Sequence, residues 1–145
     1  MFAALHIALA LVAFVVGVVA IRRRGDRTTH RRLGLAYIAC WLVLGASGAL
    51  LGARRPGVSQ FEIINIVGVG VVLLGWTIPA VGAIRRRLGA GWLRWHVRFL
   101  LGSLAFPVIA GFNQLAPGLL GLAGLPYPGW AFWALVASPF LVLPR

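Results

Sequence analysis

The chain has no lysine, and only two of its 145 residues, Asp26 and Glu62, are acidic. All 14 basic residues are therefore arginines. A phosphate-binding loop that ends in Gly-Lys has no lysine to draw on, which excludes nucleotide hydrolysis of that type. Cys40 is the single cysteine. That excludes an intrachain disulfide, a Cys-x-x-Cys redox pair and covalent haem attachment, and Cys40 itself reads as a small core residue. Charged residues make up 11% of the chain, against roughly 25% in soluble domains. No carboxylate falls at the centre of an apolar run, which argues against an ion-coupled transporter with a midplane site. There is no room for a soluble catalytic domain, and nothing in the chain calls for enzymatic activity of its own.

What is abundant is apolar sequence: 61% of the residues are hydrophobic. A water-soluble domain of this size cannot bury that much surface, so the bilayer must be part of the solvent. Crossing the hydrocarbon core takes about 20 apolar residues. Runs at 2–21, 29–52, 63–84 and 95–115 meet this requirement, and a shorter one at 130–143 contains Pro139. The expectation is an all-α integral membrane bundle of four to five transmembrane helices, with a re-entrant segment as the alternative for the last run. Thr28 or Thr29 is the expected N-cap of the second helix. Trp76, Thr77 and Pro79 read as a kink late in the third, and Pro107 as a kink in the fourth. The 19 glycines, with Gly48 and Gly52 as one small-xxx-small pair, read as packing positions. Met1-Phe2 opens without a basic n-region, so the first segment is expected to be retained rather than cleaved.

The net charge of +12 is not spread as a nucleic-acid-binding face would be. Residues 22–32 hold six arginines and residues 85–94 hold four, whereas 53–62 holds two and 116–129 none. Arginines confined to short loops set topology and meet anionic headgroups. The positive-inside rule places the 22–32 and 85–94 loops in the cytoplasm with the N-terminus outside, and this confinement of charge to loops argues against nucleic acid as the partner. Trp92 and Trp95 flank one interface, and Trp130 and Trp133 the other.

Two stretches look like copies. Ala20-Ile21-Arg22-Arg23-Arg24 is followed by His30-Arg31-Arg32, and Ala83-Ile84-Arg85-Arg86-Arg87 by His96-Val97-Arg98. Two hairpins related by a weak parallel repeat would place His30 and His96 at one membrane face, at the starts of parallel helices. Two facing imidazoles are what a b-type haem requires, and helix bundles build cofactor sites in this way. The expected cofactor site is therefore His30 and His96 as metal ligands, with Arg32 and Arg98 pairing the anionic groups. A second polar set, His6, Glu62, Asn65 and Asn113, is expected at the opposite face. The alternative is a non-catalytic accessory subunit, packed by its glycine faces into a larger membrane complex or a homo-oligomer, with the arginines on anionic lipid.

The segment His30-Arg31-Arg32-Leu33-Gly34-Leu35-Ala36-Tyr37 resembles the His-Arg-x-x-Gly-x-x-Tyr signature of a bacterial membrane-protein family, domain of unknown function 2306. Trp95-His96-Val97-Arg98 is similar to that family's later His motif, though looser, and His6 to its early histidine. The resemblance spans most of residues 1–115. It implies a layout like the small di-histidine cytochromes of the b561 type, which carry haem between transmembrane helices.

Overall fold

The computed structural model describes residues 2–52, 57, 60–122, 124, 130, 134, 137 and 138. The secondary structure is helical: α1 (Phe2–Arg22), α2 (Arg27–Gly52), α3 (Gln60–Ala80), α4 (Gly82–Leu88) and α5 (Trp92–Leu122), with a single 3-10 turn at Gly89–Gly91 before α5. Four segments, Ala4–Arg22, Arg27–Gly52, Glu62–Ala80 and Gly82–Gly118, are long and apolar enough to cross a membrane. The expected fifth run at 130–143 falls almost wholly outside the described residues, as do Trp133 and the loop arginines Arg54 and Arg55.

α1 packs on α2, α2 on α3, and α3 on α5, and α5 closes back on α1. The result is a four-helix ring with α2 and α5 diagonally opposed. Large apolar side chains point outward on every long helix: Leu11 and Val15, Leu42 and Leu50, Ile66 and Leu74, Val108 and Leu115 are all exposed. In water such a surface would aggregate; against lipid it is the solvated face.

The core is narrow and aromatic. Trp41, 2% exposed, stands edge-on to both Tyr37 and Phe106, with ring centroids 6.5 Å away in each case. Gly17 of α1 lets this core close. A Cβ there would lie 2.6 Å from Leu104 Cδ2 of α5 and 2.8 Å from Tyr37 Cε2 of α2, so only glycine allows three helices to meet at that point.

The turn between α1 and α2 corrects one expectation. Asp26, not Thr28 or Thr29, is the N-cap of α2: its Oδ1 accepts from the backbone N–H of Thr28 at 3.0 Å and of Thr29 at 3.1 Å. Thr29 uses its hydroxyl to hold the other carboxylate oxygen. A carboxylate caps at least as well as a hydroxyl and also complements the helix dipole. The Thr29 hydroxyl and N–H, helped by the Thr28 N–H and the Arg23 charge, hold the Asp26 carboxyl below the usual carboxylate range. A depressed folded-state value stabilises the fold above the unfolded carboxyl's pKa, and this is lost as pH falls through the folded value. Acidification from neutral is therefore expected to fray the start of α2. Amide exchange of Arg27–His30 should speed up below the carboxylate range in the native protein and be fast at both pH values in Asp26→Ala.

Two boundaries also differ from the hydropathy pattern. α3 stops at Ala80 rather than running to 84, because Val81 takes an extended conformation, φ −96 and ψ 103, before α4 begins. α5 runs from Trp92 to Leu122, through both Pro107 and Pro117. The second Ala-Ile-Arg-Arg-Arg copy thus lies in a separate short helix, whereas the first is the last turn of α1 and the turn after it. At this point the repeat is one of sequence, not of secondary structure.

Candidate functional site

His30 lies in the first turn of α2 and His96 in the second turn of α5. Each begins a core-facing row at helical spacing: His30, Gly34, Tyr37 and Trp41 on α2, and His96, Phe99, Ser103 and Phe106 on α5. Tyr37 follows His30 by seven residues, and Ser103 follows His96 by the same number. Seven residues are about two turns, or roughly 10 Å. The Tyr37 hydroxyl and Ser103 Oγ are 2.7 Å apart, and Trp41 meets Phe106 just beyond. The pairing order rises along both chains, so α2 and α5 run parallel, and the two histidines stand level to within about a turn.

Both imidazoles are half-buried, and both are anchored in the same way for different reasons. His30 Nδ1 is 2.8 Å from Ala20 O. The last turn of α1 tightens there: Arg23 N–H bonds Val19 O and Arg24 N–H bonds Ile21 O, so the backbone passes over Ala20 O. The stranded carbonyl is one of those every helix end leaves. His96 Nδ1 is 2.7 Å from Gly75 O. The residue four positions after Gly75 is Pro79, which has no N–H, so this carbonyl too is stranded, in mid-helix. The side-chain-free face of Gly75, packed on Leu100 and Phe99, lets α5 come near enough for His96 to reach it.

A carbonyl oxygen only accepts, so both Nδ1 atoms must carry the proton. The Nε2 of each neutral ring is then a lone-pair donor. An imidazole with Nδ1–H on a backbone carbonyl and a bare Nε2 is in the tautomer that ligates a metal. Pro79→Ala tests this origin. It supplies an N–H that competes for Gly75 O, while adding a better helix former to α3. The ¹⁵N shifts of His96 are expected to move from a pure Nδ1–H ring to a tautomer mixture, while those of His30 stay unchanged.

The arginines paired with these histidines by sequence are not beside them. Arg98 and Arg32 each lie two residues after a histidine, about 200° around the helix. The Arg98 guanidinium lies over the Trp95 ring, 5.5 Å from its centroid, and Arg32 is exposed. The Trp92 ring, one turn before His96 on the same helix, has its centroid 6.3 Å from that of the imidazole. Gly34, one turn beyond His30 on the same face, has nothing within 4 Å of the position a Cβ would take, which leaves open space beside that imidazole.

The second polar set is only partly assembled. Ser47 Oγ donates to Leu44 O at 2.8 Å, so in its 2.9 Å contact with His6 Nδ1 the hydroxyl accepts. His6 therefore also carries its proton on Nδ1. Asn65 Nδ2 donates to Gly45 O at 3.0 Å, and Glu62 lies against Gly52. These side chains from α1 and α3 converge on the small face of α2. Asn113 is helical within α5, but its side chain lies outside the described residues. Among the described residues no group of three or more His, Cys, Asp or Glu is placed to hold a metal ion.

No protein-family model matches the chain, and no curated protein or solved structure is significantly similar to it.

Sequence reasoning assigned no contact to Tyr37, Ser103 or Ser47 and did not connect Pro79 to the carbonyl of Gly75. A signal for the first two was present: each is a polar residue seven positions after a histidine inside an otherwise apolar run.

Proposed function

We propose that this chain is a small multi-pass protein of a bacterial cytoplasmic membrane that holds a b-type haem between His30 and His96 and passes electrons through it. The observation that carries this reading is the matched pair of anchored imidazoles, level with each other on diagonal helices. Each is locked in the tautomer that leaves Nε2 bare. The Nδ1–H bonds to Ala20 O and Gly75 O fix ring orientation and raise ligand basicity. The half-exposed setting and the arginines of the 22–32 and 85–94 loops suit a group with an anionic edge near a cytoplasmic interface. Haem bound in this way would supply a one-electron redox centre. The His-Arg-x-x-Gly-x-x-Tyr signature fits the same reading: its His is the ligand, its Gly the open position and its Tyr the hydroxyl that spans to α5.

The test is an absorption spectrum of the protein purified in mild detergent from haem-replete cells. The expected result is a sharp α band on reduction, typical of two imidazole ligands, with haem retained about tenfold less tightly in Pro79→Ala. A colourless preparation overturns the proposal. The topology is tested alongside it by a tag on the N-terminus, expected to be reachable from outside the cell.

One observation favours the accessory-subunit reading. Gly70, Gly111 and Gly118 have nothing within 4 Å of a would-be Cβ, and small residues open to lipid are where another transmembrane helix packs. Cross-linking in membranes to a defined partner, in a protein that carries no haem, would support that alternative.

A further inference from the structure

Arg94 and Arg98 stand about one turn apart on the same face of α5. That face is turned away from His96 and toward lipid: Arg94 and Trp95 are exposed and Arg98 is half-buried. The Arg98 guanidinium folds back toward the start of the helix and lies over the Trp95 ring, 5.5 Å from its centroid. Trp95 is itself held by a stacked contact with Phe99, with centroids 5.7 Å apart. Arg98 thereby carries its charge from inside the span toward the level of Arg94, where a cation in a membrane is less costly. Two guanidiniums then serve one stretch of helix surface, one of them on a fixed aromatic shelf.

Like charges four residues apart repel, and this end of the molecule has little to offset them. The six arginines of residues 22–32 and the four of residues 85–94 share it with Arg98, against one side-chain carboxylate, Asp26. Asp26 is committed to the Thr28 and Thr29 N–H groups and the Thr29 hydroxyl. The surface therefore calls for an anion from outside the chain. What lies beyond the arginines says which kind. From Arg98 to Val108 the same face of α5 is apolar, with Leu101 and Ala105 half-buried and Val108 exposed. That stretch is roughly 15 Å long, about the depth of one leaflet. Cations at one end and an apolar strip one leaflet long match an anionic amphiphile. A soluble anion gains nothing from the strip. A zwitterionic lipid brings a cation of its own to a surface already crowded with them.

We propose that the Arg94–Trp95–Arg98 face of α5 is a docking site for one anionic phospholipid, its phosphate accepting from both guanidiniums and an acyl chain lying along Leu101, Ala105 and Val108. Guanidinium forks suit a phosphate better than a point charge does. The site is independent of the His30–His96 pair, which faces the other way, and it gives these two arginines a task distinct from that of the loop arginines.

The experiment is native mass spectrometry of the full chain, released from detergent micelles that hold equimolar phosphatidylglycerol and phosphatidylcholine. It is run in ammonium acetate at physiological ionic strength, where exposed charges more than about 8 Å away are screened. The first lipid adduct is expected to be phosphatidylglycerol, preferred at least fivefold, on the order of what one arginine contributes at an anionic surface. Arg98→Gln and Arg94→Gln are each expected to lower that preference about fivefold; Arg94 is exposed, so its variant tests the site without disturbing the bundle. Trp95→Leu keeps both charges, removes the shelf, and is expected to weaken the preference as well. Arg23→Gln, at an exposed arginine whose charge already acts on Asp26, is expected to leave it unchanged. Equal retention of the two lipids overturns the proposal. So does a loss in Arg23→Gln as large as in Arg98→Gln, or an unchanged preference in both Arg94→Gln and Arg98→Gln. Displacement of the lipid by inorganic phosphate, or by the glycerophosphoglycerol headgroup without its chains, overturns it in favour of a site for a soluble anion.

Discussion

His96→Gln is expected to abolish the reduced α band while leaving the melting temperature within about 1 °C of the native protein, and His30→Gln to do the same. The argument separates the two roles each imidazole can play. As a clip, the ring donates Nδ1–H to a stranded carbonyl, Ala20 O or Gly75 O. Glutamine carries an amide NH₂ on a side chain of similar length and can make the same donation. As a ligand, the ring offers Nε2, and glutamine has nothing equivalent. His96→Ala removes both functions. It should lose the band and also leave Gly75 O unsatisfied in an apolar setting, a penalty of about 1–3 kcal/mol. If the histidines are clips alone, glutamine is neutral in every readout and only alanine is harmful. Absorbance and thermal unfolding of these variants, with His30→Ala as the fourth, give a two-by-two pattern in which the ligand and clip readings predict different cells.

Gly68→Leu is expected to destabilise the bundle by about 3 kcal/mol, with Gly70→Leu, one position pair along the same helix, close to neutral. A Cβ on Gly68 would lie 2.5 Å from Trp41 Cζ3 and 2.7 Å from its Cη2. The indole cannot retreat, since Tyr37 and Phe106 hold it edge-on from two directions. Forcing methylenes into a filled core typically costs about 1–3 kcal/mol, and a rigid ring against helix backbone belongs at the upper end. Over Gly70 there is nothing within 4 Å, so a leucine there meets lipid. Reversible unfolding in mixed micelles, followed by tryptophan fluorescence, measures the difference. Trp41→Leu combined with Gly68→Leu should recover part of the loss, because the smaller side chain vacates the space the first substitution demands. Equal stability of the two single variants would mean that Trp41 is not the fixed centre of the core.

The long helices and their membrane character were legible from hydropathy alone, because lipid imposes one dominant requirement and twenty apolar residues satisfy it visibly. The positions of His30 and His96 at matching helix starts were legible from the copied tripeptides. Their acceptors were not. The two Ala-Ile-Arg-Arg-Arg runs suggested Ala20 and Ala83 as counterparts, whereas the partner of His96 is Gly75 O. The reason is a missing N–H: Pro79 strands a carbonyl four residues earlier, and such an absence does not register in a search for similar residues. Arg32 and Arg98 do not stand beside the histidines, for a geometric reason. Adjacency in sequence is nearly opposition on a helix, and the Arg98 cation has the Trp95 ring beneath it. Asp26 was overlooked as a cap because two threonines beside it offered the same chemistry, and the carboxylate enlists one of them.

The hydrogen-bonded chain in the middle of the bundle is a dead end. Ser103 Oγ donates to Leu100 O at 2.7 Å, so the Tyr37 hydroxyl must donate to Ser103, and a backbone carbonyl has no proton to pass on. Beyond it the path is closed by Trp41 and Phe106, which are 2% and 1% exposed. Among the described residues, the polar groups at one end of the molecule are thus cut off from those at the other by side chains that pass no proton onward, so a proton taken up at one end has no hydrogen-bonded route to the other: the same aromatic girder that sets the level of the two histidines is also an insulator.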